Sequence, residues 1–126
     1  MVAIADAVFD AALGIVDNAT SCQVRTSGSS VLVSLVANSV TLDGSNFGGH
    51  TSGSTGRKIQ CLVSSGSDMK AISVSSAGSA NKVQIGISSG SAFVMYVEAD
   101  LASSVTLAAS DQINLGTFSV TLADPT

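Results

Sequence analysis

Lys82-Val83-Gln84-Ile85-Gly86-Ile87 is the stretch that decides the fold. Its large apolar residues fall on every second position, the spacing at which side chains share one face of a β-strand. The same period recurs on both sides. Downstream, Phe93, Met95 and Val97 alternate with Val94 and Tyr96. Val105 and Leu107 follow, then Ile113 and Leu115, then Phe118, Val120 and Leu122. Upstream, Lys70, Ile72 and Val74 form one side of a run with Met69 and Ala71 on the other. Ile59, Cys61 and Val63 alternate with Lys58 and Gln60. Val31, Val33 and Leu35 alternate too, and Leu32 and Val36 make that strand apolar on both faces. Ser65-Gly66-Ser67-Asp68, Ala77-Gly78-Ser79 and Ser88-Ser89-Gly90-Ser91 read as turns between the runs. Short strands broken by turns every 8–12 residues or so indicate an antiparallel sandwich or barrel rather than βαβ units. No internal repeat stands out.

Before residue 20 the period is different. At about 100° per residue, Ile4, Val8, Ala11 and Ile15 gather on one side of a helix. Ala12, Val16, Phe9 and Leu13 carry the apolar arc around roughly half the circumference. Asp6, Asp10 and Asp17 form a narrow acidic stripe, and Asp6 and Asp10 suit the positive N-terminal half. A surface helix usually buries a face little wider than about 100°. This helix is therefore expected to be covered on more than one side, by its own fold or by a neighbouring subunit. The prediction is a mainly β chain with a helix at 3–18. An antiparallel sandwich or barrel of about seven to eight strands follows over 21–124. All of it belongs to one domain, 1–126, with a Gly/Ser-rich loop at 43–56.

Composition narrows the function. The chain is 45% hydrophobic and 11% charged, and serine occupies 23 of 126 positions. Ordinary domains carry about 25% charge, so this surface must be built from Ser, Thr, Gly and Asn. Such a surface suits a subunit packed against neighbours. It suits a catalyst poorly, because acid–base and nucleophilic chemistry needs titratable groups held close together. With five basic residues and a net charge of −4, the chain lacks the Lys/Arg cluster that phosphate recognition requires. The longest apolar run, Val31 to Ala37, falls well short of the about 20 residues of a membrane span. The N-terminal segment lacks a basic flank and is interrupted by Asp6, Asp10 and Asp17, so it is expected to be retained rather than cleaved as a signal. Asn18-Ala19-Thr20 matches a glycosylation acceptor, but without a secretory signal it reads as chance.

The candidate chemical sites are sparse. Gly56-Arg57-Lys58 follows a glycine-rich stretch but leads into a strand, so it fails as a phosphate loop. It reads as a flexible loop ending in two solvated cations. His50 is the only histidine. Neighbouring Ser52 or Ser54 suggests a Ser/His pair with nothing to orient it, and a solvated loop histidine is the expectation. One His and no clustered Cys exclude a conventional zinc site. Asp43 with Asn46, and Glu98 with Asp100, lack the ligand spacing of a calcium loop. Cys22 and Cys61 have no zinc or redox spacing. They read either as two buried hydrophobes or as a disulfide formed outside a reducing cytosol. No catalytic residue, cofactor or metal is expected, and the chain reads as a non-enzyme.

Three stretches carry a resemblance: Ala5-Asp6-Ala7-Val8-Phe9-Asp10-Ala11-Ala12-Leu13, Thr55-Gly56-Arg57-Lys58-Ile59, and Gly116-Thr117-Phe118-Ser119-Val120-Thr121-Leu122-Ala123-Asp124-Pro125. In this order the chain resembles a group of short virion-associated proteins of tailed bacteriophages and prophages. Relatives of that group are richer in Pro and Thr after the first strand, where this chain has the apolar Val31–Leu42. The resemblance implies a phage structural protein, with capsid decoration (cement) as the role. The partners would be the major capsid protein and further copies of the chain, with a trimer as a natural state. Its place would be the capsid surface of the virion, assembled in the bacterial cytoplasm, with no nucleic acid or membrane partner. The alternatives are a tail or head–tail component, and a soluble carbohydrate- or receptor-binding β module using Tyr96 or Phe47. Interface contacts are expected from Phe9, Leu13 and Val16 on the helix and from Val31, Val33 and Val36 on the first apolar strand.

Overall fold

The computed structural model describes residues 4–36, 40–52, 56–64, 66–90 and 92–123. The expected helix start at residue 3, Gly53 to Thr55 of the expected loop, Ala37 of the apolar run, Ser65 and Ser91 of the turn signals, and the Asp124-Pro125 ending lie outside the described residues. The chain is mainly β, with one N-terminal helix followed by antiparallel sheets. Helix α1 is Asp6–Val16. The strands are β1 (Ser21–Arg25), β2 (Val31–Ser34), β3 (Thr51–Ser52), β4 (Arg57–Cys61), β5 (Ile72–Ser73), β6 (Gly78–Ser89), β7 (Ala92–Leu107), β8 (Gln112–Ile113) and β9 (Phe118–Leu122).

Helix α1 is shorter than the apolar period suggests because its ends are fixed locally. Ala5 precedes it in extended backbone. At its C-terminus, the Asn18 side chain donates to the Gly14 carbonyl at 2.9 Å, and the Asp17 N–H donates to the Leu13 carbonyl. Such bonds satisfy carbonyls that the last turn leaves open. Thr20 N–H then donates to the Gly86 carbonyl, which delivers the chain into β1.

Three sheets result, with strand orders β2-β1-β6-β7, β3-β4-β9 and β5-β8. Every strand pair is antiparallel. Each sheet has two ends, so the barrel branch of the expectation does not hold. The sheets and α1 share one cluster of buried side chains, including Leu13, Cys22, Val33, Ile59, Met69 and Ile85. Helix α1 lies against β4 and also meets β7.

Among the described residues nine strands stand where seven or eight were expected, and several boundaries moved. Leu62 and Ala71 take left-handed backbone, at φ 58° and 53°. These kinks stop β4 before Val63 and reduce the 69–74 run to the two-residue β5. The Ala77-Gly78-Ser79 turn signal instead opens β6. A Cβ on Gly78 would come 2.9 Å from Leu32 Cδ2, so a larger residue there would push the Leu32 side chain aside. The two expected strands at 93–97 and 105–107 are one strand, β7, because β6 pairs with both. Ala80 faces Val105 while Lys82 faces Asp100, so Leu101 to Ser104 arch out opposite Asn81 alone. Nearer the hairpin, a second irregularity lies at Ile85/Gly86. A Cβ on Gly86 would sit 1.9 Å from the Val94 carbonyl oxygen, so only glycine lets the backbones approach.

Residues 43–47 of the expected loop are more ordered than its glycines suggest. Asp43 caps a short 3₁₀ turn at Gly44–Asn46, and Phe47 bridges to Cys61. Asn46 is fully buried. Its side chain accepts from Asp43 N–H at 3.0 Å and donates to the Val63 carbonyl at 3.0 Å and to Asp68 at 2.8 Å.

Candidate functional site

Arg57, Lys58 and His50 were expected to be solvated, and the structure instead joins Arg57 and His50 to carboxylates of the chain. Arg57, at the start of β4, donates through Nε to Asp10 Oδ1 at 2.9 Å and through Nη2 to Asp10 Oδ2 at 3.3 Å. The same guanidinium reaches the His50 carbonyl at 3.2 Å. It is therefore no free cation at the end of a flexible loop. The bonded guanidinium holds the Asp10 carboxyl below its ordinary range, and Asp10 raises Arg57 in return. His50 is no solvated loop residue either. Its Nε2 lies 2.9 Å from Asp17 Oδ2 and its Nδ1 3.4 Å from Asp10 Oδ1, with 20% of the side chain exposed. Each ring nitrogen thus faces a carboxylate, one from α1 and one from its cap. This clamp fixes the acidic side of α1 to the body of the protein.

A second group sits across β6 and β7. Lys82 donates to Glu98 at 3.1 Å and to Asp100 at 3.0 Å, and Gln84 donates to Glu98 at 2.6 Å. The Gln84 bond, then Lys82, holds the Glu98 carboxyl below its usual range. On β1, Arg25 binds Gln23 Oε1 and lies 5.9 Å from the centroid of Phe93. The Asp43 carboxylate is taken by Ser45, which holds its carboxyl low. No group of three or more His, Cys, Asp and Glu side chains with the placement of a metal site occurs among the described residues. No helix is long and apolar enough to cross a membrane among them.

Cys22 and Cys61 are free thiols, both fully buried. Burial, and secondarily Cys61, pushes the Cys22 thiol up to about 12. Burial, and secondarily Asp17, pushes Cys61 up to about 11. Of the two readings of this pair, the structure has the buried hydrophobes. Phe47 is buried and Tyr96 is half-buried against the core.

The expected interface residues separate into two groups. Phe9, Leu13, Val16 and Val33 are 6%, 1%, 9% and 0% exposed and belong to the chain's own interior. Val31 is half-buried, and Val36 is 44% exposed. The β2 stretch is apolar on both sides because Leu32 and Val33 are both buried, with Ser75 and Ser76 closing on the Leu32 carbonyl.

The exposed aliphatic surface lies elsewhere. Val8 and Ile15 on α1 are 59% and 57% exposed, and Val94, Met95 and Val105 on β7 are 44%, 47% and 47% exposed. Their signal was already in the helical wheel. The buried arc of Phe9, Leu13 and Val16 flanks the acids that bind Arg57 and His50, which leaves the opposite arc outside. Beside the arch of β7 lies an apolar cleft of about 300 Å³, lined by Val24, Val83, Leu101, Leu107, Ile113 and Leu115 among others. Its polar wall residue, Asn114, already accepts a hydrogen bond from Ala71 N–H at 2.9 Å. The surface thus offers apolar contact, with several of its charges paired internally. Comparison with protein-family models, curated proteins and solved structures finds no match to this chain.

Proposed function

We propose that this chain is a structural subunit of a bacteriophage particle, a capsid decoration protein that attaches to the head shell through apolar, multivalent contacts. The phage assignment draws on the resemblance carried by the stretches at 5–13, 55–59 and 116–125. The assembly role draws on one observation. Val8, Ile15, Val36, Val94, Met95 and Val105 are 44–59% exposed, while Asp10 pairs with Arg57 and Lys82 with Glu98 within the chain. Large aliphatic groups left outside a surface of few charges are what obligate interfaces resemble. Repetition over a lattice converts weak single contacts into firm attachment. The major capsid protein is the proposed partner, alongside further copies of this chain.

The test is attachment to empty shells assembled from the major capsid protein of the same phage, titrated with salt. Apolar attachment persists at high ionic strength, because screening acts on exposed charge pairs. Release by moderate salt, or a monomer with no affinity for shells, would sink the decoration reading. Copy number separates it from a tail or head–tail role: a decoration protein is present in the hundreds or so per particle, a tail component in few.

A further inference from the structure

The arch of β7 opens a cleft into the interior. Leu101 to Ser104 stand opposite Asn81 alone, between the pairs Lys82–Asp100 and Ala80–Val105. The buried Val24, Ala80, Val83 and Leu107 line a cavity of about 300 Å³ beside it. Both walls are pinned. The Asn81 side chain donates to the Ser104 hydroxyl and accepts from Ser27 N–H at 3.2 Å. Across the cleft, Ile113 pairs with Ile72, and Leu115 N–H donates to the Met69 carbonyl at 2.9 Å. These bonds hold the cleft open, and preformed apolar cavities of this kind are where small molecules bind. Bulges also recur beside functional sites, where they re-aim side chains.

A second cavity, of about 490 Å³, shares Val83, Leu101, Asn114 and Leu115 with the first and adds Asp100 and Thr117. Asp100 belongs to a group whose charges do not balance. Lys82 Nζ lies 3.1 Å from Glu98 and 3.0 Å from Asp100, so one cation serves two carboxylates and one negative charge is left over. Of the two acids Asp100 is the open one, 77% exposed against 34% for Glu98, and it is the one at the cavity. Arg25, opposite Lys82 on β1, turns instead to Gln23, the Ser29 carbonyl and Phe93. No Lys or Arg among the described residues lines either cavity.

We propose that the joined cavities bind an amphipathic amine, with its aliphatic body in the apolar cleft and its ammonium group at Asp100. The volume sets the body. About 300 Å³ is roughly twice the 150 Å³ or so of a cavity that holds benzene, so a chain of about ten carbons fits. The charge sets the head. An ammonium group supplies the cation that Lys82 leaves wanting, whereas a carboxylate would face Asp100 with no cation to take it. Asp100 is well exposed, so it contributes a modest preference for the head, and burial of the chain supplies most of the affinity. Occupancy of this site does not depend on the assembly role and is measured without shells.

The experiment is a two-dimensional NMR titration of the full chain with decylamine, 1-decanol and decanoate, each below its aggregation concentration. Decylamine is expected to shift the amides of Leu101, Leu107, Ile113 and Leu115. At low salt it is expected to bind about threefold tighter than decanol and at least about tenfold tighter than decanoate. Added salt is expected to shrink both preferences. Val105→Trp places an indole in the cleft from a position that is 47% exposed, and is expected to weaken all three probes at least about tenfold. Asp100→Asn leaves Lys82 and Glu98 balanced, and is expected to bring the three probes within about twofold of one another. Circular dichroism checks that both variants keep the fold. Should Val105→Trp unfold, the wild-type shift map and Asp100→Asn still decide. Shifts centred elsewhere, as at Val8 and Ile15, decanoate binding as tightly as decylamine, or folded variants that bind all three probes as the wild type does would overturn the site.

Discussion

Arg57 and Asp10 meet through two hydrogen bonds, 2.9 and 3.3 Å long, between the first residue of β4 and the middle of α1. This pair joins the helix to a strand whose first residue lies 47 positions after Asp10 in sequence. The carboxyl of Asp10 is held below its ordinary value of 3.8, first by the Arg57 hydrogen bond. A depressed carboxyl contributes stability that is present above the unfolded value and is lost as pH falls through the folded one. Thermal stability is therefore expected to drop below about pH 3.8, and Asp10→Asn is expected to flatten that drop. An unchanged acid profile in the variant would remove Asp10 as its source.

Asn46 anchors the glycine-rich segment, so Asn46→Ala is expected to destabilise the fold by about 2 kcal/mol. The loss arises from the Asp43 N–H and Val63 carbonyl left without their partner. Denaturant unfolding measures it, and a change under about 0.5 kcal/mol would show that the segment is held by other contacts.

Gly86→Ala is expected to cost about 3 kcal/mol, because its Cβ would overlap the Val94 carbonyl oxygen. The β6–β7 pairing must separate or shift register to admit it. Amide exchange across Ile85 to Val97 is the direct readout.

Ala71→Gly is expected to raise stability by about 1 kcal/mol. Ala71 is exposed at φ 53°, a conformation that glycine adopts without the Cβ penalty. Equilibrium unfolding in urea decides it.

The thiols of Cys22 and Cys61 are expected to resist alkylation in the native protein and to react on unfolding. Both are fully buried, and burial disfavours the reactive thiolate. The double Ala variant is expected to fold at a cost of about 2 kcal/mol. Failure to fold would restore a disulfide as the reading.

Much of the fold was legible because its signals are local. The alternation at 82–87 and the helical period around Phe9 and Leu13 each arise from the residues themselves. What was illegible depends on distant partners. Nothing beside Leu62 or Ala71 announces left-handed backbone, since Leu62 is buried and the Ala71 N–H donates to the distant Asn114 side chain. Val105 looked like a separate strand because Ala80, which pairs with it, lies far away in sequence. His50 sits among glycines and serines that suggest solvent, while its carboxylates come from α1 and its cap. The candidate surface was half legible. The helix was read as covered on more than one side, by its own fold or by a neighbouring subunit, but which half faces outward depends on where Arg57 and His50 draw the acids.

The arch of Leu101 to Ser104 opposite Asn81 has a consequence for what this chain avoids. A long, straight sheet edge is a template on which further strands can add without limit, and irregular edges interrupt such growth. The outer edge of β7 is interrupted twice, and Glu98 and Asp100 lie between the two interruptions. Copies crowded together are thereby steered away from fibrils, and assembly is left to surfaces that can be saturated.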